Sequence, residues 1–179
     1  MIKKMGELYS VLTIIFIISM CILAIGGCSD DGSGIDNREL MSNCREITGL
    51  SSGNIRTPGD AGCTVQIEDG CYFGNLNGSL NGNVETLFET EEEFNVVITK
   101  FFESTGVTLI TTNNGDTLTG HIVAVANSES TVASGLIQWF PDGSTGQFQG
   151  ATGYAVLNIE TNFENKTYAS TYTGIICTP

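Results

Sequence analysis

TGVTLITTNNGDTLTGHIVAVA, residues 105–126, decides the fold. Asn113-Asn114-Gly115-Asp116 is a strong hairpin turn between two strand-length runs, 105–112 and 117–126. The same grammar repeats in both directions. Upstream, Phe94 to Glu103 places Phe94, Val96, Ile98 and Phe102 on one face by period two. Asn83 to Glu91 and Cys71 to Leu80 read as two earlier strands, the latter rich in glycine and asparagine. Downstream, 131–140, 152–162 and 166–177 complete the set, broken by Pro141-Asp142-Gly143 and by Asn162-Phe163-Glu164-Asn165.

This makes eight strands joined by short turns, with no helix longer than a turn or two. Regular short spacing of this kind predicts an all-β fold, a single antiparallel barrel over residues 44–179. The 22 glycines support strong bending, because glycine in a strand often marks a bulge or a barrel corner. Closure also removes exposed sheet edges. Before the first barrel strand, residues 44–62 read as turn-rich, with Gly49, Gly53, Pro58, Gly59 and Gly62 as breakers. Cys63 to Glu68 alternates like a short strand ahead of an Asp69-Gly70 turn. The repeat Leu76-Asn77-Gly78, Leu80-Asn81-Gly82 reads as a glycine-kinked strand pair. Glu89-Thr90-Glu91-Glu92-Glu93 reads as a solvated turn or loop, without the ligand spacing of a calcium loop.

The N-terminus carries a different message. Lys3 and Lys4 precede an almost unbroken apolar run from Leu8 to Ile25, and Ile25-Gly26-Gly27-Cys28 follows. This run resembles the lipobox of bacterial lipoproteins. The resemblance implies cleavage after Gly27, removal of residues 1–27 and acylation at Cys28. Residues 28–43 then form a tether, beginning with the polar Ser29-Asp30-Asp31-Gly32-Ser33-Gly34. Such a chain is exported and held to a membrane by lipid. Ser29 stands where the family's inner-membrane retention signal has Asp, which implies outer-membrane sorting where the cell has an outer membrane.

The removed piece takes Lys3, Lys4 and Glu7 with it and leaves 5 basic and 19 acidic side chains, a formal charge of −14. Such a surface repels nucleic acid and anionic headgroups. Four cysteines remain besides Cys28: Cys44, Cys63, Cys71 and Cys177. An even count on the exported side of a membrane argues for two disulfides. The Cys63/Cys71 spacing, with no histidine nearby, is poor for zinc, so no metal or other cofactor is expected. In an up-and-down barrel the start of the first strand faces the end of the last. With Cys71 opening the first barrel strand, that predicts Cys71–Cys177 and Cys44–Cys63; Cys63–Cys71 is the strongest competing pair.

The segment Gly143-Ser-Thr-Gly146-Gln-Phe148-Gln-Gly150-Ala151-Thr-Gly153 is similar to the Gly-x-Phe-x-Gly-Ala-x-Gly segment of allene oxide cyclase-like and dirigent-like barrels. Gly115 to Gly120 and Tyr172-Thr173-Gly174-Ile175-Ile176 fit its flanks. Gln147 stands where bacterial members often have Arg. The resemblance implies an eight-stranded barrel with an interior pocket for hydrophobic molecules, and it carries no catalytic residue across. Phe148 is expected to plug one end.

Candidate chemistry is sparse. His121 is the only histidine and lacks a nucleophile elbow. Trp139 is the only tryptophan, and Tyr154, Tyr168 and Tyr172 are spaced for strand faces. A pocket is expected near His121, Trp139 and Tyr154. Small residues (Gly74, Gly78, Gly120, Ala124, Ala126, Ala133, Gly135 and Ala155) would leave it room, and Phe101, Phe102, Trp139, Phe148 and Tyr154 would fill or cap it. The expected role is non-catalytic: binding a small apolar ligand or an envelope partner. The rivals are a cyclase- or dirigent-like enzyme and a purely structural surface protein.

Overall fold

Alternating side chains and frequent turn signals carry the chain through eight strands in a single closed cycle. The computed structural model describes residues 43–68, 70–96 and 99–179. The leader, Cys28, nearly all of the tether, Asp69 and Ile98 lie outside the described residues. The strands are β1 Cys44–Arg56, β2 Cys71–Gly78, β3 Gly82–Val96, β4 Thr99–Thr112, β5 Thr117–Asn127, β6 Val132–Trp139, β7 Thr152–Asn162 and β8 Thr167–Cys177. Each pairs antiparallel with the next, and β1 pairs with β8 to close the barrel. The all-β, eight-stranded antiparallel barrel expected from the sequence is therefore present. Ladder, core and both disulfides all lie within residues 44–177.

The count of eight conceals two compensating differences. First, residues 44–56 form a strand rather than a turn-rich segment. Gly49 and Gly53 do not break it, because β1 needs them. A Cβ on Gly49 would collide with the Tyr172 hydroxyl, and one on Gly53 with the β2 backbone at Phe73 and Gly74. Second, 94–103 and 105–112 are not separate strands. Phe94 to Val96 finish β3, and Thr99 to Thr112 is one strand. The acidic run Glu89–Glu93 lies inside β3 rather than in a loop. Among the described residues, β3 beyond Leu87 pairs with β4 alone and has a free edge, while β4 stays paired with β5 as far as Phe101; Glu89 to Val96 are exposed. Acidic side chains are tolerated there because both faces meet water. Phe94 and Phe101 stack across the β3–β4 pair at 5.5 Å, and Lys100 pairs with Glu93 at 2.9 Å. Cys63 to Glu68 belongs to the β1–β2 connection and forms no strand.

The missed first strand also corrects the cross-links. The disulfides are Cys44–Cys177 and Cys63–Cys71, not Cys71–Cys177 and Cys44–Cys63. The topological rule holds, but the first strand opens at Cys44, so Cys44 and Cys177 are the register partners. Cys63–Cys71 instead ties the long β1–β2 connection to the start of β2. Arg56 reinforces that connection, donating to the Ala61 carbonyl and lying 4.3 Å over the Phe73 ring.

One end of the barrel is closed by side chains. The β6–β7 connection carries a 3₁₀ turn, Gly146–Phe148, that lays Phe148 across this end, 1 % exposed beside buried Ile47, Leu118, Ala151 and Ile176. Hydrogen bonds hold the connection onto β5. Thr145 Oγ1 accepts from Thr117 N at 3.0 Å, and Ser144 Oγ accepts from Thr119 N at 3.1 Å while donating to the Phe140 carbonyl. Gly146 has φ +59° and its missing Cβ would overlap Asp116, so only glycine fits the turn that aims Phe148 inward. Leu80, in the β2–β3 turn, is buried at the same end. The opposite end holds the β5–β6 and β7–β8 turns and the β1–β2 connection, from which Ile67 packs against the core.

Candidate functional site in the barrel interior

Strand parity decides what faces inward. Gly120 pairs with Trp139 and points in; His121 pairs with Gln138, which pairs with Tyr154, and that row points out. His121 is exposed and Tyr154 is 46 % exposed. Of the three residues expected to frame a pocket, only Trp139 reaches the interior, where it is 3 % exposed. A single-residue step along a strand exchanges faces, which separates neighbours in sequence as fully as distance does.

Two spaces lie along the interior. The inner one is a cavity of about 40 Å³ between Trp139, Leu76, Leu80, Val84, Ile110, Ile122 and Ile137, with Ala155 and Leu157 on its wall. At roughly 10–15 Å³ per water, it accepts only a few small atoms. The outer one is a vestibule of about 270 Å³ at the end away from Phe148, lined by Ile67, Glu68, Glu91, Phe102, Val132 and Phe163 among others. Ala124, Ala126 and Ala133 also line it, so the small residues expected to leave space do so here. Tyr72, Phe88 and Ile159 line both spaces and stand between them, as the waist of the interior side-chain packing.

The inner cavity is tight because aromatic rings occupy what the glycines vacate. Tyr172 lies opposite Gly49, Tyr168 opposite Gly53 and beside Gly74, and Trp139 opposite Gly120. Tyr72 meets Phe88 and Tyr168 edge-on at 5.5 and 5.1 Å. The waist residues Tyr72, Phe88 and Ile159 were not singled out from the sequence. Phe88 carries a cross-strand signal, since it faces Gly106 on β4, whereas Tyr72 faces Ile55 and Thr86, and Ile159 faces Ala133 and Ser170.

Polar groups on the cavity wall are neutral and mostly paired. Ser51 Oγ and the Tyr168 hydroxyl share a bond of 3.1 Å, and Thr86 and Thr108 share one of 2.9 Å. The Tyr172 hydroxyl donates to the Leu80 carbonyl and accepts from Leu80 N, both at 3.2 Å. Burial pushes the Tyr168 hydroxyl above its ordinary range, and the bond to Ser51 offsets this only in part. Burial likewise raises Tyr172 against the opposing effect of its bond to Leu80. Trp139 Nε1 differs: among the described residues it is the one buried side-chain N or O atom without a hydrogen-bond partner. Among the described residues no group of His, Cys, Asp and Glu is arranged to hold a metal ion. No family model, curated protein or solved structure matches the chain.

Proposed function

We propose that this chain is a lipid-anchored envelope protein whose barrel binds a small apolar ligand without transforming it. The observation that supports this is the shape and chemistry of the interior. Phe148 is buried at one end, the vestibule lies at the other, and the inner space between them is walled by aliphatic and aromatic side chains with neutral hydroxyls. The polar groups on the inner wall are Ser, Thr, Tyr and Trp side chains. This composition supports retention of an apolar molecule over proton transfer, which works best with a group titrating near neutral pH. The lipobox-like Ile25-Gly26-Gly27-Cys28 supports the anchor, and the barrel is compatible with the allene oxide cyclase-like and dirigent-like resemblance.

The small inner volume favours a second reading, a structural surface protein whose barrel is filled by its own side chains. One experiment separates the two. Protein extracted from membranes under native conditions is analysed by mass spectrometry for co-purifying small molecules. A stoichiometric apolar companion supports ligand binding. Clean protein that also fails to take up an apolar fluorescent probe leaves the structural reading.

A further inference from the structure

We infer that the ligand is a slender, unbranched apolar chain carrying a hydrogen-bond-accepting oxygen at its leading end, and that this oxygen is held by Trp139 Nε1. The inference rests on the ligand-binding reading above and adds the chemistry of the molecule bound.

Three observations carry it. Trp139 lies on the wall of the inner cavity, at the end of β6 nearest the Phe148 plug. Its Nε1 is buried and lacks a protein partner, whereas Ser51, Thr86, Thr108, Tyr168 and Tyr172 all have one. A buried donor without an acceptor is costly, and indole N–H is a donor only, so the wall favours an acceptor there. The inner space is also too small for a ring system or a branched head. Tyr72, Phe88 and Ile159 line both spaces, so a slender chain threaded between these side chains, with its remainder in the vestibule, would use both at once. Among the described residues the vestibule lining includes Glu68 and Glu91 and no Lys, Arg or His, so an anionic group is disfavoured there. With its head inward a fatty carboxylate would bury an unpaired charge against an uncharged wall, and with its head outward it would meet Glu68 and Glu91; a neutral ketone, aldehyde or ester fits.

The test uses residues 43–179, which contain the whole ladder, core and both disulfides. The chain has one tryptophan, so the ¹⁵N-labelled domain gives a single indole N–H resonance. 2-Heptanone and n-heptane are titrated separately, with binding read from backbone amide shifts of the cavity strands. The expected result is saturable binding of both, about five- to tenfold tighter for the ketone, with a downfield indole proton shift for the ketone alone. In Trp139→Phe the preference for the ketone disappears while n-heptane still binds. Equal affinity with an unmoved indole resonance would overturn the acceptor inference and leave the apolar pocket standing. An indole proton already held downfield by water, and unaffected by the ketone, would overturn it equally. Saturable binding of neither compound would remove the ligand reading itself, and the inference with it. The indole measurement on the unaltered domain decides the matter even where Trp139→Phe folds poorly.

Discussion

Gly120 and Trp139 face one another across β5 and β6, and the indole ring occupies the space that a side chain on Gly120 would need. A Cβ there would come within 2.8 Å of Trp139 Cε3 and 2.5 Å of Ile137 Cγ2. Both neighbours are packed in the core and have little room to yield. Gly120→Ala is therefore expected to destabilise the barrel by about 1–3 kcal/mol through overpacking. Urea unfolding of the two proteins measures it. Gly120→Ala paired with Trp139→Phe should recover part of the loss, since the clash partner is smaller. An undiminished loss in the double variant would show that Ile137, and not the indole, sets the cost.

The two disulfides constrain very different lengths of chain. Cys44–Cys177 spans 133 positions and locks the β1–β8 seam, whereas Cys63–Cys71 spans 8. Chain-entropy estimates put these at about 5 and about 2.5 kcal/mol respectively. Replacing Cys44 and Cys177 together by Ser should thus lower the unfolding midpoint more than replacing Cys63 and Cys71. A larger loss for the short pair would show that local packing of the β1–β2 connection outweighs loop closure.

The barrel was legible because β2 and β5 to β8 announce themselves by strand-length runs between turns, as at Asn113–Asp116, while β3 and β4 read as three shorter strands. β1 was hidden by Gly49 and Gly53. In isolation they read as breakers, and only their neighbours, the Tyr172 hydroxyl beside Gly49 and the β2 backbone at Phe73 and Gly74 beside Gly53, reveal them as places where a Cβ cannot fit. The acidic run Glu89–Glu93 was hidden for the opposite reason. Charge density suggests a loop, but the outer half of β3, exposed from Glu89 to Val96 and unpaired on one edge, accommodates it. Trp139 was legible as an interior candidate, while His121 and Tyr154 fell on the outer face by one step of register. The plug at Phe148 was readable because its glycines mark a tight turn locally, without reference to any distant strand.

The buried tyrosines give stability a pH dependence at the alkaline end. Burial raises the Tyr168 hydroxyl above its ordinary value near 10, so the folded state holds its proton at a pH where the unfolded chain releases it. The unfolded state then binds fewer protons, and stability falls with rising pH. The contribution is fully present below about pH 10 and is lost as pH climbs through the folded value. Tyr172 acts in the same direction. Unfolding free energies measured from pH 9 to 11.5 should decline more steeply in the native protein than in Tyr168→Phe. Parallel curves would assign the alkaline loss to other groups.

Anchoring is tested outside the barrel. If Cys28 is the lipid acceptor, Cys28→Ala gives a precursor that keeps its leader and takes up no fatty acid. Metabolic labelling with a tagged fatty acid, followed by extraction, reads this directly. Equal labelling of the two proteins would remove the lipid anchor from the proposed function and leave the barrel's own chemistry untouched.

Phe148 provides the means to alter the closed end alone. It is among the largest fully buried side chains, and it is held by backbone bonds around Thr145 and Ala151 rather than by a strand ladder. Phe148→Ala removes the plug and should cost about 3–5 kcal/mol, the range for deleting a buried aromatic ring. Arg45, whose guanidinium lies 5.7 Å over the ring, loses its aromatic partner at the same time. Because the Gly146–Phe148 turn is held by Thr117, Thr119 and Ser144, its backbone should keep its place in the variant. The opened end then offers small solutes a second route to the Trp139 side of the cavity. Acrylamide quenching of the single tryptophan should rise severalfold in Phe148→Ala under native conditions, with the strand signal in circular dichroism unchanged. Quenching at the native level would mean that neighbouring side chains, Leu118 and Ile176 foremost, collapse into the space and reseal the end.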